Sequence, residues 1–112
     1  MVDSRLPAHV EISAIIRLVQ AEGGFATVIA KGERDAGTIL LIVSERGQDE
    51  QLLERMPNLE GTRPWSVTRK QDIDNASDFA EYVDKRRLQD SDVWILEADV
   101  ADRERFIESL AG

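Results

Sequence analysis

The chain has 112 residues, of which 42% are hydrophobic and 32% charged, with no cysteine and a formal net charge of −8. This composition is typical of one globular domain, residues 1–112, and it excludes disulfides, thiolate catalysis and cysteine-ligated metal centres. No apolar run approaches the roughly 20 residues that a membrane helix needs, and no signal peptide is apparent. We therefore expect a cytoplasmic protein that needs no membrane, metal or cofactor.

The excess negative charge lies towards one end of the sequence. Residues 1–70 contain 10 acidic and 9 basic residues, whereas residues 71–112 contain 12 acidic and 5 basic residues, so the C-terminal third carries a net charge of −7. Such a surface repels phosphate backbones, and nucleic acid is not an expected partner. It can attract a basic protein surface, or it can serve solubility alone.

A first helix is predicted from Ala8 to Glu22, because Pro7 suits a first turn and Gly23-Gly24 ends it. Its apolar residues form two stripes on nearly opposite sides: Ile12, Ile15, Ile16 and Val19 on one, and Val10, Ala14, Leu18 and Ala21 on the other. One stripe should face a sheet. The other needs a cover, either another helix of the chain or a second subunit in a homodimer through this helix.

Two predicted strands follow, and they should contain the centre of the core. Phe25 to Lys31 and Thr38 to Val43 are rich in β-forming residues, and the polar turn KGERDAG joins them as in an antiparallel pair. The second strand is apolar on both faces, so both faces must be covered. Gly32 and Gly37 can take positive φ in this turn.

The rest of the chain alternates between irregular and regular segments. Ser44 to Gln51 is predicted as a charged loop, Leu52-Leu53 as a short strand or helical turn, and Pro57 to Pro64 as irregular chain. The later elements are a strand at Trp65 to Arg69, a helix from about residue 76 to Gln89 with Ala76, Phe79, Ala80 and Val83 buried, a strand at Val93 to Ala98, and a helix at about Ala101 to Ala111. The fold class is therefore α+β, a mainly antiparallel sheet packed by helices in the order αββ(β)βαβα.

A binding site can be assembled from a few polar residues and one aromatic residue. Arg34 beside Asp35 in the KGERDAG turn could clamp a carboxylate or phosphate, and Trp65 near Arg63 could stack on a ligand ring. Glu97 should emerge near the C-terminal end of the last strand, where ligands often bind in α/β folds. Each residue also has a structural interpretation, as part of a turn, as core or as solubilising charge. No catalytic residue and no complete metal-binding motif is identifiable.

The chain also resembles a known family. Small alphaproteobacterial proteins of domain-of-unknown-function family 1491 are similar to it in the stretches RLPAHVEISAIIRLVQAEGGFATVIAKGERDAGTILL, LLERMP, GTRPW and DVWILEADVADRERF. The KGERDAG turn and the LPAHVE start of the first helix are the most specific parts. The resemblance implies a cytoplasmic α+β domain standing alone, and it carries over no activity, cofactor or catalytic residue.

Two functions follow as hypotheses. The first is a non-catalytic interaction or regulatory protein, with a protein partner at the acidic C-terminal third, where Asp78, Glu81 and Asp84 should point away from the core. The second is a small-ligand-binding protein or enzyme that uses the Arg34-Asp35 turn. A flat acidic or apolar face would favour the first hypothesis, and several polar groups in one concave pocket would favour the second.

Overall fold

The computed structural model describes residues 6–111, which form three helices and five strands. In chain order these are α1 (Ala8–Ala21), β1 (Phe25–Ala30), β2 (Ile39–Glu45), β3 (Gln48–Arg55), β4 (Trp65–Lys70), α2 (Ala76–Gln89), β5 (Trp94–Val100) and α3 (Arg103–Ala111). The α+β class is confirmed, and the optional strand of the predicted order is present as β3. Three of the four strand pairings are antiparallel and one is parallel, so the sheet is mainly antiparallel as predicted.

The order of strands in the sheet is β1-β5-β2-β3-β4, which corrects the predicted pairing of β1 with β2. The last strand of the chain lies between them, antiparallel to β1 and parallel to β2. The KGERDAG segment therefore passes over the start of β5, where the Glu33 N–H donates to the Asp92 carbonyl at 2.9 Å and the Trp94 N–H donates to the Thr38 carbonyl at 2.8 Å. Since β2 and β5 are the strands with apolar residues on both sides, this order places them inside the sheet.

The predicted charged loop at residues 44–51 is wrong, because β2 and β3 form a tight hairpin there. Glu45 pairs with Gln48 across a two-residue turn, Arg46-Gly47, whose φ angles are +53° and +79°. Positive φ at both central residues is the feature of type I′ turns, which match the twist of paired strands. The polar residues that suggested a loop belong to the solvent-exposed start of β3.

Gly32 and Gly37 do not have the positive φ that glycine would allow them; among the described glycines only Gly23, Gly47 and Gly61 do. The requirement at Gly37 is one of space. A Cβ atom there would lie 2.8 Å from the Glu33 carbonyl oxygen and 2.8 Å from Cδ1 of Trp94, and it would overlap the Asp92 carbonyl oxygen. Glycine at this position lets two loops and an indole ring meet without a gap.

Helices cover the sheet on both faces. On the first face, α1 and α3 pack on Leu41, Val43, Leu96 and Ala98, with the predicted stripe of Ile12, Ile15 and Val19 buried. Leu18 of the second stripe is half-buried against the same cluster, because α3 packs beside α1. Another helix of the chain thus supplies part of the cover, and the homodimer through α1 stays a prediction.

On the second face, α2 packs on Leu40, Ile42, Leu52 and Ile95. Its buried side is Phe79 and Val83, whereas Ala76 and Ala80, predicted as buried, are exposed. The helix is turned towards β3 and β4 because Tyr82 and Arg86 are held there: the Arg69 guanidinium lies 3.7 Å from the Tyr82 ring centre, and Arg86 Nη1 lies 2.9 Å from Glu54 Oε1. Helix-wheel periodicity alone could not show that two polar side chains fix this rotation.

Candidate interaction surface

The edge strand β1 exposes apolar side chains that the rest of the sheet does not cover. Within residues 6–111 it pairs only with β5, so no strand of that part of the chain lies along its other edge. Phe25 is 75% exposed, Val28 42% and Ile29 39%. The ladder with β5 is regular from Phe25 to Val28 and shifts between Val28 and Ala30, where Ile29 is the extra residue. The strand therefore offers a regular, uncharged stretch followed by a bulge.

Beside β1, the part of the second face that α2 leaves uncovered is acidic. Phe25 pairs with Asp99 and Thr27 with Glu97, and paired residues of a ladder share a face. Glu50 reaches the same region from β3. We call Glu50, Glu97 and Asp99 the acidic shelf; all three are half-buried, and none forms an ion pair with another residue that the structure describes.

The three carboxylates of the acidic shelf have different surroundings. Asp99 accepts hydrogen bonds from the Gly47 N–H at 2.8 Å and the Ser44 hydroxyl at 3.2 Å, which tie β5 to the β2–β3 turn. Glu50 has a pKa above its ordinary value, first because it is partly buried and then because of the charge of Glu97 and a hydrogen bond with it. Glu50 and Glu97 therefore crowd like charges at the centre of the shelf.

The raised pKa of Glu50, caused first by burial and then by Glu97, predicts a pH-dependent gain in stability for Glu50→Gln. An acid with a raised folded-state pKa binds more protons folded than unfolded in the pH window just above 4.5, so stability falls as pH rises through that window. At pH values above this window, the loss of stability caused by the ionised Glu50 side chain is complete. At pH 7 the variant should melt slightly higher than the parent, by less than the ~4 °C that 1 kcal/mol gives in a domain of this size. The gain should vanish below pH 4, as thermal melts at both pH values would check, and an equal gain at both would contradict the assignment.

The Arg34-Asp35 turn acts through its backbone. The Asp35 and Arg34 carbonyls accept hydrogen bonds at 2.9 Å from the Ala8 and His9 N–H groups, which are free donors of the first turn of α1. The Glu33 carbonyl accepts the Trp94 indole N–H at 2.6 Å. Both Arg34 and Asp35 side chains are exposed, 3.9 Å apart. The turn thus holds α1, β2 and β5 together, which its composition did not indicate.

Arg63 and Trp65 line a shallow groove on the first face. Its volume is about 370 Å³, and it is lined by Arg55, Thr62, Arg63, Pro64, Trp65, Ile107 and Leu110. Sequence reasoning missed the central residue, Arg55. Its guanidinium lies 4.8 Å from the Trp65 ring centre, pairs with Glu11 of α1 and donates to the Arg63 carbonyl at 3.1 Å. Trp65 is therefore already stacked on a cation within the chain.

The five predicted site residues do not converge. Arg63 and Trp65 share the groove on the first face, Arg34 and Asp35 lie at the start of α1, and Glu97 lies on the second face. Within residues 6–111, no three histidine or acidic side chains are placed to hold a metal ion. No helix among them is long and apolar enough to cross a membrane.

The comparisons with known proteins agree with this fold. The model of the DUF1491 family, described as a protein of unknown function, matches residues 6–108. A crystal structure of a DUF1491 protein from Caulobacter crescentus CB15 is 28% identical, with a TM-score of 0.73 over 91% of this chain and 94% of that chain. The solution structure of protein Atu0922 from A. tumefaciens is 28% identical, with a TM-score of 0.69 over 88% of each chain. No curated protein matches the chain. The chain belongs to the DUF1491 family of proteins of unknown function.

Proposed function

We propose that the chain is a non-catalytic interaction protein of the cytoplasm that binds an extended segment of a partner protein along β1. The observation that carries this proposal is the uncovered edge of β1 with Phe25, Val28 and Ile29 exposed. An edge strand presents unpaired N–H and C=O groups, and an added strand completes their hydrogen bonds while burying apolar side chains. The scattered positions of the five predicted site residues favour this function over small-ligand binding.

The two edges of the sheet differ in a way that supports binding at β1. Edge strands usually carry charged residues that prevent pairing with other chains. The strand β4 follows this rule, because its sequence WSVTRK ends in Arg69 and Lys70. The strand β1, FATVIA, contains no charged residue and no proline. The bulge at Ile29 limits pairing only at the end of the strand, which leaves Phe25 to Val28 regular.

A titration with a neutral model peptide tests this function. A synthetic peptide of about eight residues that alternates valine and threonine has the length and pattern of a β-strand. Added to the isotopically labelled chain, it should shift the amide resonances of residues 25–30 and slow their hydrogen exchange. Val28→Lys should abolish the effect, because a lysine on an edge opposes pairing.

The matched control is Val67→Lys on the other edge. Val67 is 40% exposed and Val28 42%, so the two substitutions add the same charge at equally exposed valines. The Val67 variant should keep the binding. Shifts centred on β4, or unchanged β1 amides with neutral, basic and acidic peptides alike, would show that β1 is not a binding edge.

A further inference from the structure

We infer that the partner segment is basic, with lysine or arginine side chains on the side of the acidic shelf alternating with apolar residues on the other side. The inference rests on the proposed function, because it assigns the chemistry of the segment that binds β1.

The register places the shelf within reach of an added strand. Strands in a sheet lie about 4.8 Å apart, so a strand paired with β1 would lie about 10 Å from β5. Thr27, paired with Glu97, is the side chain between them. Because threonine is short, a long cationic side chain from the added strand can extend across it towards Glu97. The next cation along the same face would meet Asp99, across the exposed ring of Phe25.

Of the four other half-buried glutamates that the structure describes, three pair with an arginine: Glu11 with Arg55, Glu22 with Arg105 at 3.3 Å, and Glu54 with Arg86 at 2.9 Å. The fourth, Glu45, accepts the Arg103 main-chain N–H at 3.0 Å. Glu50 and Glu97 have no cationic partner among the described residues, and they face each other. Partly desolvated carboxylates without a counter-charge reduce stability. A cation supplied by a partner would relieve that penalty on binding.

A second copy of the chain fits this surface less well than a basic segment. In a symmetric pairing of two β1 strands, each copy would contribute FATVIA, which contains no cation. Neither strand would then bring a cation from within its own sequence to the shelf carboxylates of the other copy. With a net charge of −8 on each chain, association would also bring like charges together.

Three peptides of equal length separate the outcomes. They alternate valine with lysine, threonine or glutamate, and their affinities are measured by resonance titration at low salt and at about 0.15 M salt. The lysine peptide should bind at least about tenfold more tightly than the threonine peptide at low salt, and the glutamate peptide more weakly. The advantage should shrink at the higher salt, where screening acts over about 8 Å.

Two pairs of substitutions locate the charge effect. Glu50→Gln with Glu97→Gln should remove the preference for the lysine peptide and leave binding of the threonine peptide unchanged. Glu81→Gln with Asp84→Asn, on the exposed side of α2, removes the same charge elsewhere and should leave the preference intact.

Each contrary result has a distinct meaning. Equal binding of the three peptides along β1 would contradict the inference that the partner segment is basic, and β1 would still be a binding edge. The same conclusion would follow if the preference for the lysine peptide were lost only in the α2 variant. Protection of β1 amides that rises with protein concentration, without any peptide, shows that a second copy is the occupant. If none of the three peptides changes the amide resonances of β1, the proposed function itself would be contradicted.

Discussion

Gly37→Ala should destabilise the protein by about 3 kcal/mol, although it adds a single methyl group. The added Cβ would overlap the Asp92 carbonyl oxygen and lie 2.8 Å from both the Glu33 carbonyl oxygen and the Trp94 ring. Two of these neighbours are backbone atoms that cannot rotate away. Relief would require the connection between β1 and β2 to move off the start of β5. Urea unfolding should show a lower midpoint with an unchanged slope.

Substitution by asparagine tests whether lack of space or backbone conformation is the reason that position 37 requires glycine. Asparagine tolerates the left-handed region, so Gly47→Asn, at a φ of +79° with open space around the position, should cost less than about 1 kcal/mol. Gly37→Asn should cost at least as much as Gly37→Ala. A small effect of Gly37→Asn would mean that the turn needs only backbone freedom, and the packing explanation would be wrong.

Phe106→Ala should cost about 3–5 kcal/mol, the range for a fully buried phenylalanine. Phe106 is 0% exposed and belongs to the first-face cluster, where α3 joins α1 and the sheet. Removing the ring leaves a cavity that a nine-residue helix cannot fill by shifting, because its start is tied by Asp102 and Glu45, which accept the Arg105 and Arg103 N–H groups at 3.1 and 3.0 Å. Thermal and urea unfolding would measure the loss.

The same substitution at Phe25 is the matched control. Phe25 is 75% exposed, so Phe25→Ala should change the free energy of unfolding by less than about 1 kcal/mol. It should nevertheless weaken peptide binding along β1, since that ring is part of the exposed edge. A stability loss equal to that of Phe106→Ala would show that Phe25 packs in the core and is not available to a partner.

Local features of the fold could be predicted where composition decides them. The run from Ile39 to Val43 has no polar side and can only lie inside a covered sheet, as it does. The Arg46-Gly47 hairpin was not predicted, because the usual Asn-Gly or Asp-Gly signal is missing and the surrounding residues are charged. The place of β5 between β1 and β2 was not predictable locally, since β2 and β5 pair residues that are 55 positions apart in the chain, such as Leu41 and Leu96.

The candidate interaction surface also depends on contacts between distant residues, which the sequence does not reveal. Glu97 was predicted as an acid near a strand end, but its neighbour Glu50 lay in a segment that had been interpreted as a loop. The role of the Arg34-Asp35 turn comes from main-chain carbonyls, which residue identity does not reveal. Surface exposure of β1 could not be predicted either, because FATVIA is equally suited to a central strand.

The insertion of β5 between β1 and β2 has a consequence for synthesis of the protein. During translation β1 and β2 emerge long before residues 94–100, and neither can complete its ladder until those residues appear. The β2–β3–β4 meander can form early, but β2 then has an open apolar edge where β5 will later pair. Such non-local pairing slows folding and exposes aggregation-prone strands. The nascent chain therefore depends on residues 94–100 to close the sheet, and a ribosome that stalls before Trp94 would carry an unprotected strand edge.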